Sequence, residues 1–245
     1  MKRKKQIGDR TNSFPGNLSR LREGLGVLLL FLLMLAPAIQ AVELDTKNRD
    51  PKYVESIVGR SQKIVDKLAL KNVSDSKTVL NIVANRYFKL NDIYEVRDTL
   101  VNRIKKSGLT GDAKTAALDA AQNAKEAALY RSHFAFQGDL SLCLNEKQIE
   151  AVKDGMTYGV VMVTYTATLD MVPSLKAEEK AQILAWLVEG REFAIDAESA
   201  DKKHEAFGKF KGRINNHLSA RGYDLVKERE GWYKRIKIRD EAKKK

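Results

Sequence analysis

Seven side chains in the second quarter of the chain, Val79, Val83, Tyr87, Leu90, Tyr94, Val101 and Ile104, recur in steps of three and four, once of seven. Residues so spaced share one face at 3.6 residues per turn, which predicts a long amphipathic helix. The helix is expected to start at Ser74-Asp75 and to close at Lys105-Lys106-Ser107-Gly108, cations and then glycine. Arg97 falls inside this seam and is expected to snorkel or to pair with a carboxylate.

The rest of the chain repeats the pattern. Asp50-Pro51 is a capped helix start, followed by Val54, Ile57, Val58, Ile64, Val65 and Leu68 at helical spacing. A third helix is expected from Asp112 to Gln137, with Gly138 as its stop. Its Ala117, Ala121, Ala124 and Ala128 share a face that lets a neighbour approach closely, as in the middle of a bundle. His133, near its end, reads as a structural histidine. Asn145-Glu146-Lys147-Gln148 has the form of a capping box and opens a fourth helix towards Met156. Tyr158–Thr166 is rich in β-branched residues and is the one strand candidate. No partner strand follows, and a lone strand leaves its backbone groups unpaired, so a buried helical or irregular segment is preferred. Pro173-Ser174 opens a fifth helix, Leu175 to Ala197, with Ile183, Leu184, Trp186, Leu187 and Phe193. A sixth runs from Ser199 to Ala220 and closes at Gly222. Tyr223–Lys245 is charged, helical near Trp232 and then frayed. The reading is all-α: a single-domain helical bundle of five to seven helices over residues 42–233, after a cleaved signal peptide over 1–41 and before a basic tail over 234–245.

Composition locates the charge and the compartment. The 245 residues carry a net charge of +12, of which residues 1–41 hold +5, residues 234–245 hold +5 and the body only +2. A nucleic-acid binder carries its basic residues as a patch on the folded domain, so none is expected as a partner. Lys2–Lys5 begin a basic region, Leu25–Ala36 is apolar, and Ala38-Ile39-Gln40-Ala41 follows Pro37. These are the parts of a secretory signal, and the apolar run is shorter than the 20 or so residues of a membrane span. Cleavage after Ala41 is expected, giving a mature, soluble protein of the periplasm or exterior that begins at Val42 and has no membrane span. The one cysteine, Cys143, excludes a disulfide framework and reads as a small buried hydrophobe.

Chemical motifs are few. Glycine-rich phosphate loops, GxSxG, HExxH and cysteine pairs are absent from the sequence. His204 and His217 fall about 140° apart on one helix, so no metal and no cofactor is expected. Glu192 and Asp196 lie four residues apart on one helix face. Paired carboxylates are what glycoside hydrolysis needs, although such a pair normally comes from different elements. The most informative stretch is Asp201–Asp224. On a helix, Phe207, Phe210, Ile214 and Leu218 form the core stripe, and Gly208 and Gly212 share an adjacent face bordered by His204, Glu205, Lys211, Asn215 and Asn216. Two glycines one turn apart cost a helix about 1 kcal/mol each, which calls for a reason. Either another helix packs on the glycine face, or the face is a shallow trough for a polar ligand with Tyr223 and Trp232 as aromatic platform.

The phrases KHEAFGKFKGRINNHLSARGYDL, EGREFAIDAES and LNEKQIEAVKDGMTYGVV resemble an uncharacterised exported family of Gram-negative polysaccharide degraders, a domain of unknown function to which sugar binding is ascribed. The resemblance covers Asp50 to Trp232. Gly190 and Glu198 stand where alanine and glycine are expected in the family phrase. The resemblance implies a helical domain working near carbohydrate breakdown, with a saccharide as ligand, and carries over no catalytic residue. Three functions follow, in order of preference: a non-catalytic carbohydrate-binding or accessory protein of polysaccharide utilisation; a carbohydrate-active enzyme using Glu192 and Asp196 with His204 as helper; and a helical interaction protein for an envelope partner.

Overall fold

Asp50 caps the first helix as its sequence predicts, its carboxylate accepting from the Tyr53 amide at 2.9 Å while Pro51 fills the first turn. The computed structural model describes residues 42–243; the expected signal peptide, residues 1–41, lies outside them. Among the described residues the chain is helical throughout, without a strand, and forms eight α-helices instead of five to seven: α1 Pro51–Val65, α2 Val73–Lys106, α3 Gly111–Ser141, α4 Glu146–Met156, α5 Val160–Met171, α6 Ala177–Ala194, α7 Ala200–Ala220 and α8 Leu225–Lys243. A short 3-10 turn, Asp66–Leu68, follows α1. The sequence counts at most one of α5 and α8 as a helix, and both form.

The strand candidate is α5. Tyr158 and Gly159 take φ values of +62° and +67°, which break the chain between α4 and α5. A β-branched residue costs a helix only a few tenths of a kcal/mol, and the helix satisfies every backbone group that a lone strand would strand. Val160 and Val161 are buried by it. Helix α2 starts at Val73, two residues before Asp75, because Asn72 is the capping side chain and accepts from Ser74. Helix α3 runs through Gly138 to Ser141, since Phe136 and Leu140 on either side of the glycine are both buried. Nor is α3 in the middle of the bundle: it pairs with α2, and of its four face alanines only Ala121 is buried.

Two large apolar cores and two smaller clusters, one around Phe88 and one around Leu90, Ile93 and Leu129, hold the helices. Val79, Ile82 and Val83 of α2, Phe136 and Leu140 of α3 and Val152 and Met156 of α4 form one large core, together with Ile64 and Val65 of α1. Val161 of α5, Ile183 and Leu187 of α6 and Phe207, Ile214 and Leu218 of α7 form the other. Ile195, just past α6, belongs to the first core, so the end of α6 joins the two. Contacts gather Ala41–Lys245 into one compact unit. Residues 234–243, expected as a tail, continue α8. Trp232 Nε1–H donates to Asp170 Oδ2 at 2.6 Å, Arg239 forks onto the same carboxylate at 2.6 and 3.1 Å, and Arg235 donates to the carbonyl of Asp170. Among the described residues no helix is long and apolar enough to cross a membrane.

Candidate ligand groove

A side chain on an apolar stripe is buried by the fold whether or not it is apolar. Four cations sit on such stripes. Arg86 follows Ile82 by four on α2, Lys153 follows Ile149 by four on α4, Arg191 follows Leu187 by four on α6, and Lys203 precedes Phe207 by four on α7. All four are buried. A buried charge needs a partner, and carboxylates gather around three of them, Arg86, Lys153 and Arg191.

The result is a polar network where the two cores meet. Asp196 accepts from the Arg86 guanidinium, which also donates to Ser132 Oγ. The Tyr94 hydroxyl donates to the Asp196 carbonyl at 2.8 Å. His133 Nδ1 lies 3.0 Å from Asp196 Oδ2 and its Nε2 3.5 Å from Glu192 Oε2, so the histidine bridges the two carboxylates. Lys153 donates to Glu192 at 2.9 Å. Arg191 donates to Asp154 at 2.9 Å, to Glu192 at 3.0 Å and to Glu150. His133, expected from the sequence as a structural histidine, has both ring nitrogens facing carboxylates. Burial pushes the Glu192 carboxyl up, but Lys153 and Arg191 outweigh it and hold the group below the usual carboxylate range. Burial pushes the Arg86 guanidinium down, against the pull of Asp196.

Asp196 is also part of the floor of a groove of 770 Å³. One wall is α2 and α3, with Tyr94, Arg97, Lys125, Glu126 and Tyr130; the other is the end of α6 and the first turns of α7, with Phe193, Glu198, Lys202, Glu205 and Lys209. Arg97 pairs with Glu198 at 2.6 Å across the floor, the carboxylate expected for it in the sequence. Tyr130 is 68% exposed and Phe193 63%, so an aromatic ring stands bare on each wall. The track goes on along α6 and α7. A second depression of 350 Å³ shares Phe193, Ala206 and Lys209 with the groove and adds Phe210, whose ring centre is 5.8 Å from that of Phe193.

The residues singled out in the sequence fall in three places. Glu192 and Asp196 come together under the groove, bridged by His133. Glu205 lines the groove, where Lys202 pairs with it at 2.7 Å. His204, Gly208, Lys211, Gly212, Asn215 and Asn216 lie on exposed faces of α7. A methyl group on Gly208 or Gly212 would meet nothing within 4 Å, so no helix packs on the glycine face. His204 stacks on Tyr158 at 6.0 Å. Tyr223 is drawn into the second core instead, its hydroxyl donating to buried Glu179 at 2.6 Å, and Trp232 is engaged by Asp170. Two other glycines have packing roles: at Gly190 a Cβ would come within 2.8 Å of the Phe210 ring, and at Gly155 within 2.9 Å of Ile64.

Tyr130, with Lys125, Glu126, Lys202 and Lys209, is not singled out in the sequence, and Phe193 enters there only as part of the fifth helix's apolar set. Phe193 lies six residues beyond Leu187, about 120° round the helix from it, and that offset marks it as off the core stripe.

The sequence pattern of one family matches residues 54–238, described as a protein of unknown function (DUF3826). The chain belongs to the DUF3826 family. The match spans nearly the same residues as the resemblance noted above, Asp50 to Trp232, and in this DUF3826 domain it takes in every helix from α2 to α7, hence the whole groove. No curated protein matches the sequence. Among the described residues of the domain, no group of three His, Cys, Asp or Glu side chains is arranged to hold a metal ion.

Proposed function

We propose that this DUF3826 protein is an exported, non-catalytic saccharide-binding protein of polysaccharide utilisation, and that the groove between α3 and α6–α7 is its site. The observation that carries the reading is the pair of bare rings, Tyr130 and Phe193, on opposite walls of a groove whose floor and rims alternate carboxylates with cations. Sugars present apolar C–H faces that lie on aromatic rings and hydroxyls that donate and accept at once, and this lining offers both. The volume falls within the few hundred to 1,000 Å³ or so typical of small-ligand sites. The resemblance to a family of polysaccharide degraders and the signal-like start of the chain point the same way.

The enzyme alternative rests on Glu192 and Asp196 and is the weaker one. A glycosidase needs one carboxyl kept protonated as general acid, and it flanks the sugar with the pair. Glu192 is instead held ionised by Lys153 and Arg191, and both carboxylates converge on His133.

Titrating the purified protein against a panel of plant and host glycans tests the reading. Binding without product release is expected, weakened about tenfold or more by Phe193→Ala or Tyr130→Ala, a loss of roughly 1.4 kcal/mol. Asn216→Ala, outside the groove, should leave it intact. Product release that disappears in Asp196→Asn would establish the enzyme instead; no glycan bound at all would overturn the saccharide reading.

A further inference from the structure

A further pocket, of 300 Å³ and more enclosed, adjoins the groove and shares Tyr94, Ala197 and Glu198 with it. It lies between α1, α2 and the first turn of α7. Lys203 lines it and is only 5% exposed. Its ammonium donates to the Met156 carbonyl at 2.8 Å and sits 5.5 Å from the centre of the Tyr87 ring and 5.9 Å from that of Tyr158. The Arg60 guanidinium, 5.5 Å from the Tyr87 ring centre, lines the same pocket. Among the described residues neither cation pairs with a carboxylate. The two nearby carboxylates are engaged elsewhere, Glu198 by Arg97 and Asp196 by Arg86 and His133.

The other buried cations of this protein each have an acidic partner, whereas Lys203 has a carbonyl and two aromatic rings. An ammonium so placed is costly to keep charged, and burial, together with Arg60 and Arg86, lowers Lys203 to about 8. Burial also pushes the Tyr87 hydroxyl up to about 12, so it stays a donor at neutral pH, whereas the Tyr94 hydroxyl is engaged by the Asp196 carbonyl. Two unpaired cations and a phenolic donor around one enclosed space are the chemistry of an anion site.

We propose that this pocket receives the anionic group of an acidic saccharide, a carboxylate or a sulfate ester on a sugar whose neighbouring rings lie in the groove, with Lys203 and Arg60 as its counter-charges. The assignment rests on the saccharide reading of the groove and narrows it to acidic chains. Tyr94, Ala197 and Glu198 line both spaces, so the pocket abuts the groove and a chain whose rings lie in the groove reaches it past these three residues.

Calorimetric titration with trigalacturonate, its fully methyl-esterified form, a sulfated galactan trisaccharide and inorganic sulfate decides the matter. The acidic sugars are expected to bind about tenfold or more tightly than the neutral ester. Arg60→Gln and Lys203→Met should erase that preference and leave affinity for the ester unchanged. Arg60 is exposed, so its variant remains informative should Lys203→Met fail to fold. Which acidic sugar binds distinguishes carboxylate from sulfate. Equal binding of acid and ester, unaltered in both variants, would overturn the anion pocket and leave the saccharide reading standing. Sulfate binding through Arg60 and Lys203 with no saccharide bound would overturn the saccharide reading and the ligand assigned here with it.

Discussion

Phe193 and Phe207 stand on adjacent helices, one 63% exposed and the other 1%. Phe207→Ala should cost about 3–5 kcal/mol of stability, the usual loss for an emptied aromatic site in a core. Phe193→Ala should stay within about 0.5 kcal/mol, as surface changes do, while it weakens glycan binding. Chemical denaturation of the two variants checks this. The glycines divide in the same manner. Gly208→Ala and Gly212→Ala fill open space and should each stabilise by up to about 1 kcal/mol through helix propensity. Gly190→Ala must displace the Phe210 ring and should lose that gain or more. Glu192 has a pH signature. Its folded value lies below its ordinary 4.5, so its contribution is fully present above pH 4.5 and is lost as pH falls through the folded value. Melting temperatures of the wild type and Glu192→Gln should therefore differ at pH 7 and converge on acidification below pH 4. Lys203 acts with the opposite sense: a lowered amine value makes stability rise with pH from about 8 to 10.5, a rise that Lys203→Met should remove.

At the scale of elements, caps and stripes read well and the surroundings of each helix do not. Asp50, Asn145 and Ser199 each cap a helix that the sequence places to within a residue, because a capping side chain acts on amides two or three positions away. Gly138 misleads as a stop because Leu140, beyond it, is anchored by residues distant in sequence. α5 and α8 are ambiguous for the same reason. Val160–Met171 has β-branched composition and becomes a helix since no second strand exists to pair with it. The end of α8 is fixed by Asp170, some 60 residues earlier. Asp170→Ala should consequently raise amide hydrogen exchange across residues 232–243 and leave α2 and α3 protected; equal protection in both proteins would show that α8 is held without this contact. The groove was legible only in fragments. Glu205 and Asp196 stand out by spacing, but Tyr130, on a helix whose alanines draw the eye, becomes a wall residue only once α3 lies beside α2 and α6 ends opposite. The four buried cations fall as charges on apolar stripes, a local signal for the network and the adjoining pocket beside the Glu192–Asp196 spacing.

At the scale of the whole molecule, the proposed site lies at the polar junction between the two larger cores. The groove and the Lys203 pocket draw on α1, α2, α3, the end of α6 and α7, so the site exists only when both halves of the fold are assembled. Circular dichroism should be dominated by helix, and glycan binding should disappear in the same transition as the helical signal, since no one element carries the site. The most direct test is a crystal structure of the protein soaked with an acidic oligosaccharide. Sugar rings are expected against Tyr130 and Phe193 and an anionic group beside Lys203 and Arg60. Sugar bound instead on the Gly208–Gly212 face of α7, with the groove empty, would contradict that assignment.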